Sequence, residues 1–260
     1  MNAEAPSRLL TVRELSKSFG GVHAVRQVSF GVTEGAATSL VGPNGAGKTT
    51  IFNLITGALS ADAGSIEFRG TELCGKSPGQ VARLGISRTF QDLRLFANLT
   101  VLENVMVAFQ SQRGERPLAL ILHPAAVRRQ ESELRDRAAI VLERVGLKGQ
   151  EHRKAGELSY AEQKLVVISR SIAMGADVWL LDEPSSGLDG AAVGYFMSVL
   201  KGLVEEGQTV VIVEHNLRVV REISDWVVFL DHGEVKAEGT ADDIFSSRAL
   251  QETYMAGGVG

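Results

Sequence analysis

Three places in the sequence carry residue types that together could act on a phosphate ester. The first is Gly42-Pro43-Asn44-Gly45-Ala46-Gly47-Lys48-Thr49-Thr50, which satisfies G-x-x-x-x-G-K-[ST] in full. Gly42, Gly45 and Gly47 let the backbone take conformations that a Cβ hinders, so successive N–H groups can turn inward on phosphate oxygens. A helix after such a loop points its positive N-terminal end at the same anion. In this pattern Lys48 reaches the β- and γ-phosphates of a nucleotide and the Thr49 hydroxyl ligates Mg²⁺. The second place is the apolar run Val178-Trp179-Leu180-Leu181, which stops on Asp182-Glu183. Buried carboxylates are rarely tolerated unpaired, so two of them closing an apolar run argue for a site rather than core. At the C-terminal end of a strand in an α/β sheet they lie where ligands bind. There Asp182 is expected to hold Mg²⁺ through water, and Glu183 to orient and polarise an attacking water. The third place is Glu214-His215-Asn216, immediately past the apolar run 210–213. His215 falls at the same sheet edge, where an imidazole can donate to a γ-phosphate oxygen; a structural histidine is the alternative.

Other residues are less specific. Phe19 sits in Lys17-Ser18-Phe19-Gly20-Gly21, which reads as a turn. It either packs beneath that turn, as aromatics usually do, or stacks on a nucleotide base with Val25 alongside. Gln91, beyond an extended stretch at 86–90, is a candidate contact for Mg²⁺ or water. Ser159 and Glu162 have capping-box spacing, with Tyr160 and Ala161 between them, so a helix should start here. A helix N-terminus is also a place where phosphate can bind, and the two readings are compatible. Asp189, in a turn, can cap a helix over 191–204.

The elements that must position these residues follow from periodicity. Short runs rich in β-branched residues at 9–15, 25–32, 37–41 and 65–69 read as strands, as do 178–182 and 210–213. A helix is expected over 49–59, and a short one over 78–84 stopped by Gly85. From about residue 92 to 165 strand-like runs thin out and helical periodicity takes over. Thr100 and Glu103 form a capping box, and Leu134, Ala138, Val141, Leu142 and Val145 share one face of a helix over 124–145. Residues 113–117 read as a loop, 226–239 as a closing hairpin, and the Gly-rich end at 255–260 as frayed. The expected fold class is α/β: a phosphate-loop NTPase core with a mixed sheet flanked by helices, an N-terminal antiparallel β subdomain, and an α-helical subdomain inserted at 92–165. The whole, 1–260, is read as a single nucleotide-binding domain.

At 260 residues the chain can bury a large core, and its 44% hydrophobic and 22% charged residues are those of a globular protein. A net charge of −4 gives no electrostatic case for nucleic acid as a partner. The single cysteine excludes an intramolecular disulfide and any multi-cysteine metal site. No apolar run approaches the ~18 residues a membrane helix needs.

Taken together and in this order, the motifs resemble those of the ATP-binding cassette (ABC) family of ATPases, over nearly the whole chain. Residues 42–49 match Walker A, Gln91 the Q-loop, 178–182 Walker B, Glu183 the catalytic glutamate, 186–189 the D-loop and His215 the switch histidine. Phe19 matches the adenine-stacking aromatic, and Leu158–Gln163 takes the place of the LSGGQ signature. The resemblance implies ATP and Mg²⁺ as ligands. It also implies a second cassette, identical or paralogous, paired head to tail so that Ser159, Tyr160, Ala161 and Glu162 of one copy face the phosphate loop of the other, and it makes Asp189 of the D-loop a nucleotide-site residue. Integral membrane permease subunits would be the coupled partners, on the cytoplasmic face of the cell membrane, with an external solute-binding protein acting indirectly. The signature departs from the family pattern, with Tyr160 and Ala161 in place of two glycines and Glu162 in place of glutamine. The stretch from Arg88 to Phe96 and the insertion at 110–135 are similar to the larger cassette of branched-chain amino acid importers. A lipopolysaccharide-transport cassette and a soluble ABC ATPase are the alternatives.

Overall fold

The computed structural model describes residues 8–89, 93–110 and 124–246. These divide into two compact units, one drawn from residues 8–88, 177–186 and 200–246, the other from 89, 93–110, 124–176 and 187–199.

The first unit holds two sheets. An antiparallel sheet in the order β2-β1-β4-β5 comprises β1 (Arg8–Phe19), β2 (Val22–Thr33), β4 (Ala63–Phe68) and β5 (Thr71–Glu72). A second sheet runs β10-β9-β3-β8-β7-β6, with β3 (Ala37–Val41), β6 (Ile86–Arg88), β7 (Val178–Asp182), β8 (Thr209–Val213), β9 (Trp226–Asp231) and β10 (Glu234–Gly239). All its pairings are parallel except the final hairpin of β9 with β10. The central strands β3 and β8 are buried along their whole length, as expected of β-branched and aliphatic runs covered on both faces. Helices α1 (Lys48–Ile55), α2 (Pro78–Arg83), α7 (Leu217–Ile223) and α8 (Ala241–Ser246) belong to this unit. Ile51, Phe52, Leu54 and Ile55 of α1 join residues of both sheets in one core cluster. That packing fixes the phosphate loop, because α1 begins at Lys48.

The second unit is helical, built on α3 (Val101–Met106), α4 (Pro124–Arg144) and α5 (Tyr160–Met174), with a 3₁₀ turn at Ala155–Glu157. Helix α6 (Gly190–Glu205) starts in this unit and ends in the first. The expected capping boxes are present: Thr100 accepts from Glu103 N, and Ser159 from Glu162 N. Leu134, Ala138, Val141 and Leu142 are the buried face of α4. Buried Asn104 donates to the carbonyls of Phe96 and Thr100 at 3.0 Å each and accepts from Phe96 N at 3.0 Å, which holds the segment before α3. The unit runs further than the 92–165 insertion expected from periodicity, because the whole of α5 packs on α3 and α4. The expectations placed on residues 91, 113–117 and 255–260 lie outside the described residues.

Strand β1 is longer than the sequence suggests. The stretch 17–21 reads as a turn, yet Lys17, Ser18 and Phe19 continue the strand and only Gly20 and Gly21 turn. Register shifts along the β1–β2 ladder keep the ribbon paired to Phe19↔Val22, and Asp62 clamps it by accepting from Ser18 N at 2.7 Å and Lys17 Nζ at 2.6 Å.

Candidate functional site

The phosphate loop joins β3 to α1, and its glycines are where the backbone needs them. Gly42 has φ +151 and a Cβ there would fall 2.0 Å from the Leu230 carbonyl; Gly47 has φ +97 and its Cβ would meet the Ala24 carbonyl at 2.4 Å. Neither position admits a side chain. Gly47 is also the N-cap of α1, with no side-chain cap and no acidic residue in the first turn. The first N–H groups of the helix therefore have no anionic side chain competing for them. Ala46 turns its methyl into the core, while Asn44 and Thr49 are exposed and Pro43 and Thr50 half-buried. Lys48 folds back along the loop, donating to the carbonyls of Gly42 at 2.7 Å and Pro43 at 2.9 Å. Burial pulls its ammonium below the ordinary lysine range, and the carboxylates of Glu183 and Asp182 partly oppose that. The lysine and the two carboxylates thus share one electrostatic neighbourhood.

Asp182 ends β7 in register with Val213 of β8, so the residues following both strands emerge at the same sheet edge. Glu183 takes a left-handed φ of 48 with its N–H on the Val213 carbonyl at 2.9 Å, a sharp turn that lifts its carboxylate out of the strand. His215 lies beside it, Nδ1 to Oε1 at 3.9 Å, with the imidazole 60% exposed and the carboxylate 30%. The pair is near but not hydrogen-bonded, which leaves both groups able to turn to a substrate.

Phe19 is 46% exposed at the tip of the ribbon, so it does not pack beneath a turn. Its neighbour there is Val22, across the ladder and 69% exposed. Val25 does not stand alongside: it is fully buried beneath the loop, with Cγ2 3.5 Å from where a Gly47 Cβ would sit. The register shifts, invisible to a simple count along the strand, turn Val25 inward and Val22 outward.

In the helical unit the Ser159–Glu162 box closes tightly. Glu162 accepts from Ser159 N at 2.8 Å and Oγ at 2.9 Å, and its own N–H donates to Ser159 Oγ at 3.3 Å. Tyr160 is 42% exposed and lays its ring against Gly187, where a Cβ would come within 2.8 Å of Cε1. Ala161 is half-buried. Asp189 caps α6 by accepting from Ala192 N at 2.9 Å.

The model of the ABC transporter family matches residues 25–186. The chain belongs to the ABC transporter family. Its ATP-binding subunits include relatives alike from end to end. The high-affinity branched-chain amino acid transport ATP-binding protein LivG of Salmonella typhimurium is 37% identical over 248 residues, 95% of this chain and 97% of that one. BraF of Pseudomonas aeruginosa, of the same description, is 36% identical over 248 residues, again 95% and 97%. Among solved structures, a nucleotide-free ATP-binding cassette from an ABC transporter superposes with a TM-score of 0.82 at 31% identity, covering 98% of this chain and all of that one. A bacterial ABC transporter cassette solved as a dimer gives 0.72 at 27% identity, covering 89% and 98%. The fold is that of an ABC ATPase, a nucleotide-binding enzyme that hydrolyses ATP.

Two residues of this cassette escape sequence reasoning. Glu214 is fully buried, and its carboxylate accepts from Ser185 N at 2.9 Å and from His215 N and Asn216 N at 3.1 Å each. It ties the turn after β7 to the turn after β8, and so sets Glu183 and His215 at their spacing. The clue was present: a carboxylate adjoining an apolar strand needs donors, and two catalytic-looking turns are where backbone donors would be. The other is Arg88 at the end of β6, whose Nη2 bonds Asp182 Oδ2 at 3.0 Å.

Proposed function

We propose that this chain is the ATP-hydrolysing subunit of an importer for branched-chain amino acids. The observation that carries the reading is the end-to-end likeness to subunits named for that transport, at 36–37% identity over 248 residues. ATP would lie with its base on Phe19 and its phosphates in the loop 42–50, held by backbone N–H groups and Lys48. Among the described residues no group of three or more His, Cys, Asp or Glu could hold a metal ion. That suits Mg²⁺, which keeps several waters and takes one or two protein oxygens plus phosphates. The exposed Thr49 hydroxyl and the Asp182 carboxylate are oxygen donors of that kind, and Gln91 would add a third. Bound there, Mg²⁺ would supply charge neutralisation to the β- and γ-phosphate oxygens.

Glu183 would polarise a water for in-line attack on the γ-phosphorus. The bond from that phosphorus to the β–γ bridging oxygen breaks, giving ADP and phosphate. His215 would donate to a γ-phosphate oxygen, where charge accumulates. A second cassette, identical or paralogous, would complete the site from the other side with its Ser159, Tyr160, Ala161 and Glu162. Among the described residues no helix is long and apolar enough to cross a membrane, so transport would need separate permease subunits. The cassette would sit on them at the cytoplasmic face, with an external binding protein delivering the amino acid. The chain would form a single cassette over 1–260 with a helical insertion.

The test is transport itself. Purification from detergent extract should recover a polytopic partner, and cells carrying both should take up leucine only when Glu183 is intact. Recovery of a permease that moves another solute would overturn the cargo; recovery of no membrane partner would favour an ATPase acting away from the membrane.

A further inference from the structure

Arg88 has no part in the chemistry proposed above, yet it is bound to two elements that carry that chemistry. It ends β6, which pairs with β7 through Arg88↔Leu180, two residues short of Asp182. Its Nη2 bonds Asp182 Oδ2 at 3.0 Å, and its Nη1 bonds Asn53 Oδ1 at 2.6 Å. The two charged side chains are only 8% and 13% exposed, and the guanidinium lies 5.6 Å from the centre of the Phe52 ring. Asn53 and Phe52 belong to α1, the helix whose first residues are Lys48 and Thr49. One planar cation therefore spans the carboxylate closing β7 and the helix opened by the phosphate loop. Hydrogen bonds to a charged partner are stronger than neutral ones, and only a guanidinium presents a rigid fork that serves two acceptors at fixed angles.

The bond on Oδ2 leaves Oδ1 as the oxygen of Asp182 that can turn to a cation or its water. The second bond, from Nη1 to Asn53, ties the same guanidinium to α1, the helix that also carries Thr49. We infer that Arg88 is a positioning residue for divalent-cation use, holding Asp182 and Asn53 in one fork so that the carboxylate and the loop helix keep the spacing a Mg²⁺–nucleotide requires. The inference rests on the ATPase reading and adds to it a residue outside the family's motifs. A clamp of merely structural value would change stability and metal-free nucleotide binding alike. A positioning residue changes the cation requirement separately.

The experiment uses the full chain and a fluorescent ATP analogue. Binding is measured first in EDTA and then during a Mg²⁺ titration, with the melting temperature of the nucleotide-bound protein as a second readout. Arg88→Lys keeps the charge and loses the fork; Asn53→Ala removes only the helix side of the bridge. Arg88→Lys should raise the Mg²⁺ midpoint about tenfold, the order of one charge-assisted hydrogen bond, and Asn53→Ala by about threefold. Metal-free affinity should stay within about twofold of wild type in both, a change too small to register as a lost bond. A midpoint unmoved in Arg88→Lys, or metal-free affinity falling in step with it, overturns the inference. If Arg88→Lys does not fold, Asn53→Ala decides by the same criteria. Absence of analogue binding by the wild-type protein would instead overturn the ATPase reading, which separates the two failures.

Discussion

Two helix N-termini in this protein are candidate phosphate sites and are built in opposite ways. Helix α1 opens at Gly47 with no side-chain cap and no acid in its first turn, and glycines at 42 and 47 leave no room for a Cβ. Helix α5 opens at Ser159 with a closed capping box, and Glu162 already places a carboxylate on the Ser159 N–H. The first is an anion site without an anion of its own; the second carries one. A helix terminus becomes a phosphate site by lacking the side chains that would stabilise it locally, so the stability α1 forgoes at its cap must come from packing. Ile51, Phe52, Leu54 and Ile55 supply that packing in the core of the first unit. The chemistry is concentrated on the open side, and the sharpest ways to break the comparison are there.

The largest effect is expected at Glu183. Glu183→Gln keeps the shape of the side chain and removes its basicity, so phosphate release should fall about 10²–10⁴-fold, the range of a lost general base. Nucleotide affinity should persist, because Lys48 and the loop are untouched, and an ATP-dependent dimer should accumulate on size exclusion. Turnover within a few-fold of wild type would move the base elsewhere. Next comes Gly47→Ala. The added methyl meets the Ala24 carbonyl at 2.4 Å on a residue at φ +97, so either the loop shifts or the fold bears the strain. The cost is about 1–3 kcal/mol in thermal or denaturant unfolding, accompanied by loss of nucleotide binding. Full binding in this variant would show that the cradle is looser than its glycines indicate.

Much of this contrast was readable along the chain, and what was not has a common cause. The loop glycines, the capping boxes at Thr100 and Ser159, and the buried strands β3, β7 and β8 are local patterns, each set by residues within a few positions of one another. Long-range pairings leave no such local pattern. Arg88 meets Asp182 94 residues later and Asn53 35 residues earlier, and nothing local marks an arginine as a bridge. Glu214 finds Ser185 29 residues away. Val25, expected beside Phe19, faces inward because ladder irregularities reset which residues of β2 do so, and alternation alone does not report them. The helical unit reached past its expected end because periodicity shows where a helix lies and not what it packs against.

A smaller effect is expected at Phe19, which tests whether the open side also holds the base. Phe19→Ala should weaken ATP binding about three- to tenfold, the ~0.5–1.5 kcal/mol of an aromatic contact. Stability should hold, since the ring is 46% exposed without a ligand. Equal affinities for ATP in the two proteins would leave Phe19 and Val22 as surface residues only.

The smallest effects lie on the closed side, where they sharpen the comparison most. Glu162→Gln preserves the reciprocal bonds of the capping box, because an amide oxygen can accept from Ser159 N as the carboxylate does. It removes one negative charge from the end of α5 that is proposed to face a second copy's nucleotide. Turnover at limiting ATP should rise about two- to fivefold, in keeping with the ~0.3–1 kcal/mol of a single charge at a helix end. The melting temperature should be nearly unchanged. Ala161→Gly removes a methyl from the same face and should leave turnover equal or higher, the reverse of adding one at Gly47. A clear loss of turnover in either variant would mean that the carboxylate and the methyl fit their setting as they stand. The closed terminus would then be the form in which this cassette works, rather than a weaker version of the open one.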